Sequence, residues 1–266
     1  LVMLVGQVGR EMMDREAFQE IDYRRMYGEL TKWVAQIEDT SRIPEYISRA
    51  FHTATSGRPG PVVLALPEDM LTEYADTKII NSYQKIEAYP SPADLAQVEE
   101  MLSKSRAPVV IVGGGGWDEA SCQKIQDFAE KNHLPVGCSF RCQDYFDNRH
   151  PNYVGHIGIG LSTSLQDRII NSDLLVVIGA RLGEVTTSGY SLLDIPRPKQ
   201  QLIHIHSGAE ELGSVYQADL PINASPRSFA EAISRLEIAG SEKWASNTKQ
   251  GNDDYLETLI PKAIPG

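Results

Sequence analysis

Cysteine is scarce in this sequence. Three are present, Cys122, Cys138 and Cys142. That is an odd number and too few for a disulfide framework, so a reducing, cytoplasmic setting is the expectation. Positive charge is short as well: 25 Lys and Arg stand against 36 Asp and Glu, a net charge of −11. A binder of phosphate backbones needs the opposite balance, so no nucleic-acid partner is expected. No apolar run approaches the ~20 residues that span a bilayer, so no membrane partner is expected either. G-x-S-x-G, H-E-x-x-H and a P-loop lysine are all missing. Cys138 and Cys142 lack the second Cys or His pair of a zinc site, so no metal ligands are assigned. An opening Met is missing too. The chain begins Leu1-Val2-Met3-Leu4-Val5-Gly6, a buried-strand pattern without the basic segment or cleavage site of a signal peptide. A piece of a longer chain is the expectation.

The 266 residues suffice for one large domain or two modest ones. After a strand at Leu1–Val5 and a turn at Gly6–Arg10, residues 11–33 are polar and show no clean period. A helix follows. Asp39, Thr40 and Ser41 offer caps, Pro44 fits the first turn, and Ile43, Ile47, Ala50, Phe51 and Ala54 form one apolar stripe. Gly57 ends it, and Val62–Leu66 reads as a strand buried on both faces. Residues 70–92 read as a linker. Beyond it, Ser91-Pro92 opens a helix with Leu95, Val98 and Leu102 inward. Then come strand Val109–Val112, a helix with Cys122, Ile125, Phe128 and Ala129 inward, and a short strand at Pro135–Cys138. An irregular stretch to Gly160 precedes a helix with Leu161, Leu165 and Ile169 inward. Strands at Leu174–Ile178, Gln201–His206 and Leu220–Asn223 and a helix opened by Ser225-Pro226 complete the pattern. Alternating strands and helices predict an α/β fold, a doubly wound, Rossmann-like parallel sheet. Residues 241–266 read as an extended connector.

Three segments are candidate sites. Gly113-Gly114-Gly115-Gly116 ends a parallel strand before a helix, where backbone can approach a phosphate. The pattern is not G-x-G-x-x-G and no acidic residue follows at ribose distance, so a tight ligand-free turn is the alternative. Gly155-His156-Ile157-Gly158-Ile159-Gly160 is a second glycine cluster, read as a cradle or as a loop needing positive φ. Gly179-Ala180-Arg181 ends another strand. Arg181 can pair with a phosphate, or with Glu184. His204 and His206 share one strand face without a third ligand and read as structural.

Taken together, these segments resemble the acetolactate synthase-like, thiamine diphosphate-dependent enzymes. The resemblance rests on Gly6-Gln7-Val8, Ala17-Phe18-Gln19-Glu20, Thr31-Lys32-Trp33, Ala50 to Val62 with its Ser56-Gly57-Arg58-Pro59-Gly60-Pro61, and Leu66-Pro67-Glu68-Asp69. In the second half it rests on Val112-Gly113-Gly114-Gly115, Ser172-Asp173-Leu174-Leu175, Gly179-Ala180-Arg181 and Leu202-Ile203-His204-Ile205. It covers about residues 1–240. It implies that residues 1–75 are the C-terminal half of a pyrimidine-binding α/β domain and 76–90 a linker. Residues 91–240 are then the central domain, and 241–266 a connector toward a pyrophosphate-binding domain.

The resemblance further implies a parent enzyme using thiamine diphosphate and Mg²⁺ as a 2-oxo acid carboligase or decarboxylase, a transferase or lyase, with most of that cofactor's site, its pyrimidine-protonating glutamate and Gly-Asp-Gly motif included, expected outside this stretch. A small 2-oxo acid is its substrate, and a homodimer or homotetramer its assembly. This stretch alone is expected to be inactive. Phe18 and Gln19 match substrate-channel residues, with Gln19 toward the acceptor carbonyl. Some members hold FAD in the central domain, and Arg58, Gly113, Gly114, Gly155, Gly179 and Arg181 match that contact set. Departures bear on this. His206-Ser207-Gly208 replaces the Asp-Ile-Asp end of the flavin pattern, Leu182-Gly183-Glu184-Val185 replaces Phe-Asp-Asp-Arg, and Glu68 replaces a lysine. They count against FAD and against acetolactate as the product, and favour a relative of different substrate choice. The alternative from another class is a non-catalytic nucleotide-binding or structural α/β module.

Overall fold

Two parallel sheets organise residues 1–261, the residues that the computed structural model describes. The chain divides into two compact units, Leu1–Ile86 and Glu87 onward. The first holds a three-stranded sheet of order β1 (Val2–Gln7), β3 (Val62–Pro67), β2 (Trp33–Gln36), all parallel. Unbroken apolar residues make β3 the central strand, with Leu64 paired to Leu4 on one side and Ala35 on the other. Asp39 accepts the Ser41 N–H and starts a tight turn that leads into α2 (Ile43–Thr55), after the short α1 (Tyr23–Tyr27). Ala50 and Ala54 let α2 approach Val62 and Leu64, in a small core shared with Ala35, Ile37 and Met70. Gly57 takes φ +55° after the helix, the left-handed sign expected there.

The second unit carries a six-stranded, all-parallel sheet. Its strands are β4 (Pro108–Val112), β5 (Val136–Ser139), β6 (Tyr153–Ile157), β7 (Leu174–Ile178), β8 (Gln201–His206) and β9 (Leu220–Asn223). Their spatial order is β6-β5-β4-β7-β8-β9. Counted from β4, this is the doubly wound 3-2-1-4-5-6 order, whose direction reverses between β4 and β7. The helices are α3 (Pro92–Lys104), α4 (Glu119–Lys131), α5 (Thr163–Ile170) and α6 (Pro226–Ile233). Ser91, Asp118, Ser162 and Ser225 each cap the helix that follows, and Pro92 and Pro226 occupy first-turn positions. Two apolar cores result. One gathers Val110, Val112, Phe128, Ile203, Phe229 and Trp244; the other gathers Val109, Ile111, Leu165, Val177 and Leu202.

Four elements differ from expectation. Trp33–Gln36 is a strand, because a four-residue edge strand is too short to show a period. Tyr153–Ile157, inside the stretch expected to be irregular, is edge strand β6, and its pairing shifts register beside Gly137 and Gly155. Residues 245–258 are a helix, α7 (Ala245–Thr258), where an extended connector was expected. Its packed face carries Thr248, Gly251, Asn252 and Tyr255, so it has no apolar stripe to read. Asn252 donates to the Tyr153 carbonyl at 2.8 Å, and Tyr255 meets the Tyr153 ring edge-on. Residues 262–266 of that expected connector lie outside the described residues. The fourth element is the stretch 87–90, expected as linker. Its Ala88 carbonyl accepts from Ser225 N and Ser228 Oγ, which ties it to the second unit.

Candidate functional sites

In the first unit the carboxyl ends of β1 and β2 open into a cavity of about 250 Å³. Parallel sheets present ligand sites at this end. Its walls include Gln7, Gln36, Glu38, Ala65, Glu20 and Tyr23. Gln7 and Gln36 are buried polar residues at the last positions of two strands. Gln7 Nε2 donates to the Ile21 carbonyl at 2.7 Å and toward Gln36 Oε1 at 3.4 Å, and Gln36 Nε2 donates to Glu38 Oε1 at 2.7 Å. This amide–carboxylate row was not singled out from the sequence as a site. A glutamine closing an apolar strand run is the signal that marks it.

A loop borders that cavity. Arg10 anchors its start: its N–H and Nε–H donate to the Asp69 carboxylate at 2.9 and 2.7 Å, and its guanidinium also pairs with Glu73. Hydrogen bonds to both carboxylates push the Arg10 guanidinium up and hold Asp69 below the usual carboxylate range; the Thr40 hydroxyl, then Arg10, hold Glu73 below it. Further on, Asp14, Glu16 and Gln19 take φ of +60°, +53° and +67°. Non-glycine residues rarely do so. Glu20 closes a turn by donating its N–H to the Ala17 carbonyl at 3.0 Å. Phe18, at the turn's tip, is 89% exposed. Phe18 and Gln19 are thus held together beside the cavity, though neither is among its wall residues.

In the second unit the glycines cluster where the strand order reverses. Gly113 donates its N–H to the Ile178 carbonyl at 3.0 Å, and Gly114 and Gly179 lie so close that a Cβ on Gly114 would sit 1.9 Å from the Gly179 oxygen. A Cβ on Gly179 would meet the Gly113 oxygen, Pro226 and Trp117, and one on Gly113 would meet Ser139. The turn's carbonyls are also taken. Trp117 Nε1 donates to Gly113 O at 2.8 Å and Tyr145 Oη to Gly114 O at 2.8 Å. Burial pushes the Tyr145 hydroxyl up to about 12, so it remains a donor. Gly155 serves a different contact, against Leu165 and Tyr255 at φ +116°. These glycines therefore make protein-to-protein contacts in this structure. Arg181 pairs with Glu211 at 2.6 Å, across the sheet's end, and not with Glu184. Arg58 is exposed in the turn between α2 and β3 of the first unit.

The two histidines are buried as expected of structural residues. His204 Nε2 lies 3.0 Å from the Ala180 carbonyl, and His206 Nδ1 accepts the Gly208 N–H at 3.1 Å. Burial pushes the His204 imidazole down, favouring the neutral form. Burial likewise raises the Cys122 and Cys138 thiols, Cys122 to about 11, which keeps both protonated and unreactive. Among the described residues no group of three His, Cys, Asp or Glu is placed to hold a metal ion, and no helix is long and apolar enough to cross a membrane.

Residues 95–233 match the family model described as thiamine pyrophosphate enzyme, central domain. Over nearly the whole chain the sequence is also similar to curated proteins. It is 29% identical over 265 residues to an acetolactate synthase large subunit of Corynebacterium glutamicum, covering 97% of this chain and 41% of that protein. It is 28% identical over 264 residues to a probable acetolactate synthase large subunit of Methanocaldococcus jannaschii, covering 92% of this chain and 43% of that protein. To the acetolactate synthase isozyme 3 large subunit of Escherichia coli it is 28% identical over 286 residues, covering 99% of this chain and 49% of that protein. The chain thus spans less than half the length of the relatives named here.

Proposed function

The chain belongs to the thiamine pyrophosphate enzyme family through its central domain, and from that premise we propose that it forms part of a 2-oxo acid carboligase or decarboxylase. In this reading the first unit up to residue 75 is the C-terminal half of a pyrimidine-binding domain. Residues 91–240 are the central domain, and α7 extends that domain toward whatever follows. The observation that carries the catalytic assignment is the cavity of about 250 Å³ at the ends of β1 and β2, walled by Gln7, Gln36 and Glu38 and flanked by the Phe18–Gln19 turn.

The cofactor's ring end fits that wall. An aminopyrimidine has a donor-and-acceptor edge, and the linked amides and carboxylate offer acceptors and donors in a row. Thiamine diphosphate, when bound, supplies the stabilisation of an acyl anion equivalent. This chain's residues bind and orient around it. Gln36 and Glu38 would hold the ring's polar edge, with Gln7 fixing Gln36. Gln19 donates from its side-chain amide to the acceptor carbonyl oxygen, where negative charge develops as the new carbon–carbon bond forms. The diphosphate and Mg²⁺ find no matching ligand set among the described residues, so no step is assigned to them here.

Flavin does not fit the residues proposed for it. The glycine turn is packed by Trp117, Tyr145, Pro226 and Ser139, and Arg181 is held by Glu211. The second unit is read instead as a scaffold. A cytoplasmic homodimer or homotetramer is the proposed setting. The exposed Phe18 and the unpaired outer edges of β1 and β2 support a partner surface in the first unit.

The test is release of CO₂ from a panel of 2-oxo acids by the full-length protein, with and without thiamine diphosphate. Release is expected only with the cofactor. Gln19→Ala is expected to lower kcat/KM for the acceptor carbonyl in carboligation about 100-fold, the scale of a lost oxyanion donor. Failure to release CO₂ from any 2-oxo acid would overturn the reading.

A further inference from the structure

The turn that carries Phe18 and Gln19 is built against local backbone preference. Gln19 occupies the third position of the Ala17–Glu20 turn at φ +67°, where glycine or asparagine is favoured. Two more non-glycine residues of the same loop, Asp14 and Glu16, also have positive φ. Such a conformation persists only where surrounding structure over-determines it. No apolar packing does so here, because Phe18 points outward and Asp14, Arg15, Glu16 and Gln19 are exposed or half-buried. The holding contact is the Glu20 side chain. Its Oε1 accepts the Asp14 N–H at 2.6 Å and its Oε2 accepts the Ala17 N–H at 3.1 Å. One carboxylate thus ties the start and the middle of the strained segment to the residue that follows it, and the amides of Asp14 and Ala17 keep it below the usual glutamate range. Both are charge-assisted bonds, which an uncharged side chain cannot reproduce as a pair.

We propose that Glu20 is a positioning residue: it latches the loop so that Gln19 meets the acceptor carbonyl, and thereby sets the balance between joining a second carbonyl and simple decarboxylation. The proposal rests on the reaction assigned above. Glu20 touches no reacting atom in this account and acts through Gln19. Shortening it to Asp removes one methylene of reach. Glu20→Gln keeps one acceptor oxygen and loses the other. A graded series, wild type, then Gln, then Ala, is therefore expected.

Two readouts on the full-length enzyme test this. Amide hydrogen exchange at Asp14 and Ala17 reads the latch. It is expected to speed up about tenfold in Glu20→Ala and less in Glu20→Gln, the scale of losing one charge-assisted bond. The ratio of carboligation product to free aldehyde reads the positioning. It is expected to fall about tenfold in Glu20→Ala, because a lost acceptor donor slows only the second half-reaction. Unchanged exchange in both variants overturns the latch. Faster exchange with an unchanged product ratio, or with both products falling together, overturns the positioning role. If Glu20→Ala does not fold, Glu20→Gln gives the same two readings. A wild-type enzyme that forms neither product would overturn the assigned reaction, while the exchange measurement would still decide the latch.

Discussion

The two units use the same parallel-strand chemistry to different degrees of completion. The second has six strands with helices over its faces, two buried cores, and hydrogen-bonded caps on α3, α4, α5 and α6. The first has three strands, one packed helix, one small core, and large apolar side chains left outside, among them Leu4, Leu71 and Phe18. The strained backbone of the loop lies in the first unit, beside the polar cavity. The second unit's tightest glycine contacts are turned inward upon the protein itself. The difference is one of burial: the larger apolar cores lie in the second unit, and the polar cavity with its positive-φ loop lies in the first.

The largest expected effect tests the scaffold. Trp244 is fully buried and donates Nε1–H to the Ser105 carbonyl at 3.1 Å. Trp244→Ala should cost the second unit about 4 kcal/mol in urea unfolding, whereas Met70→Ala in the first unit's small core should cost about 2 kcal/mol. Equal losses would erase the comparison. A smaller effect follows from His204. Its folded-state pKa is lowered by burial, so on acidification the unfolded chain takes up the proton first. Stability of the second unit is therefore full above the ordinary value of ~6.5. It falls toward the lower folded value, by at most about 1.4 kcal/mol per pH unit. His204→Gln should flatten that slope in unfolding curves taken between these limits, and an unchanged slope would assign it to another group. The smallest effect lies on the surface. Lys104–Glu100 on α3 and Arg42–Glu45 at the start of α2 are exposed pairs. Removing either partner should leave the unfolding curve of either unit nearly unchanged.

Much of the scaffold is legible in the sequence because its signals are local. Ser91-Pro92 and Ser225-Pro226 announce capped helices, and Val109–Val112 and Leu174–Ile178 announce buried strands, all as found. What stays hidden depends on partners distant in sequence. β2 is four residues long and is a strand because β3 pairs with it. α7 is held by Asn252 and Tyr255 against β6, contacts with no periodic signature. The candidate sites divide the same way. Phe18 and Gln19 are visible through the family resemblance, and the structure sets them side by side at a strained turn. Glu211 as the partner of Arg181 cannot be read from spacing, because a long stretch of chain that includes strand β8 intervenes. The row of Gln7, Gln36 and Glu38 exists only once β1 and β2 lie on either side of β3.

The central claim is that the chemistry belongs to the first unit and that the second supports it without a nucleotide. The direct measurement compares Gln19→Ala with Arg181→Ala in the full-length protein, reading kcat/KM for the acceptor carbonyl in carboligation. The account predicts a loss of about 100-fold for Gln19→Ala and less than about twofold for Arg181→Ala. A large loss at Arg181 with Gln19 silent would contradict it.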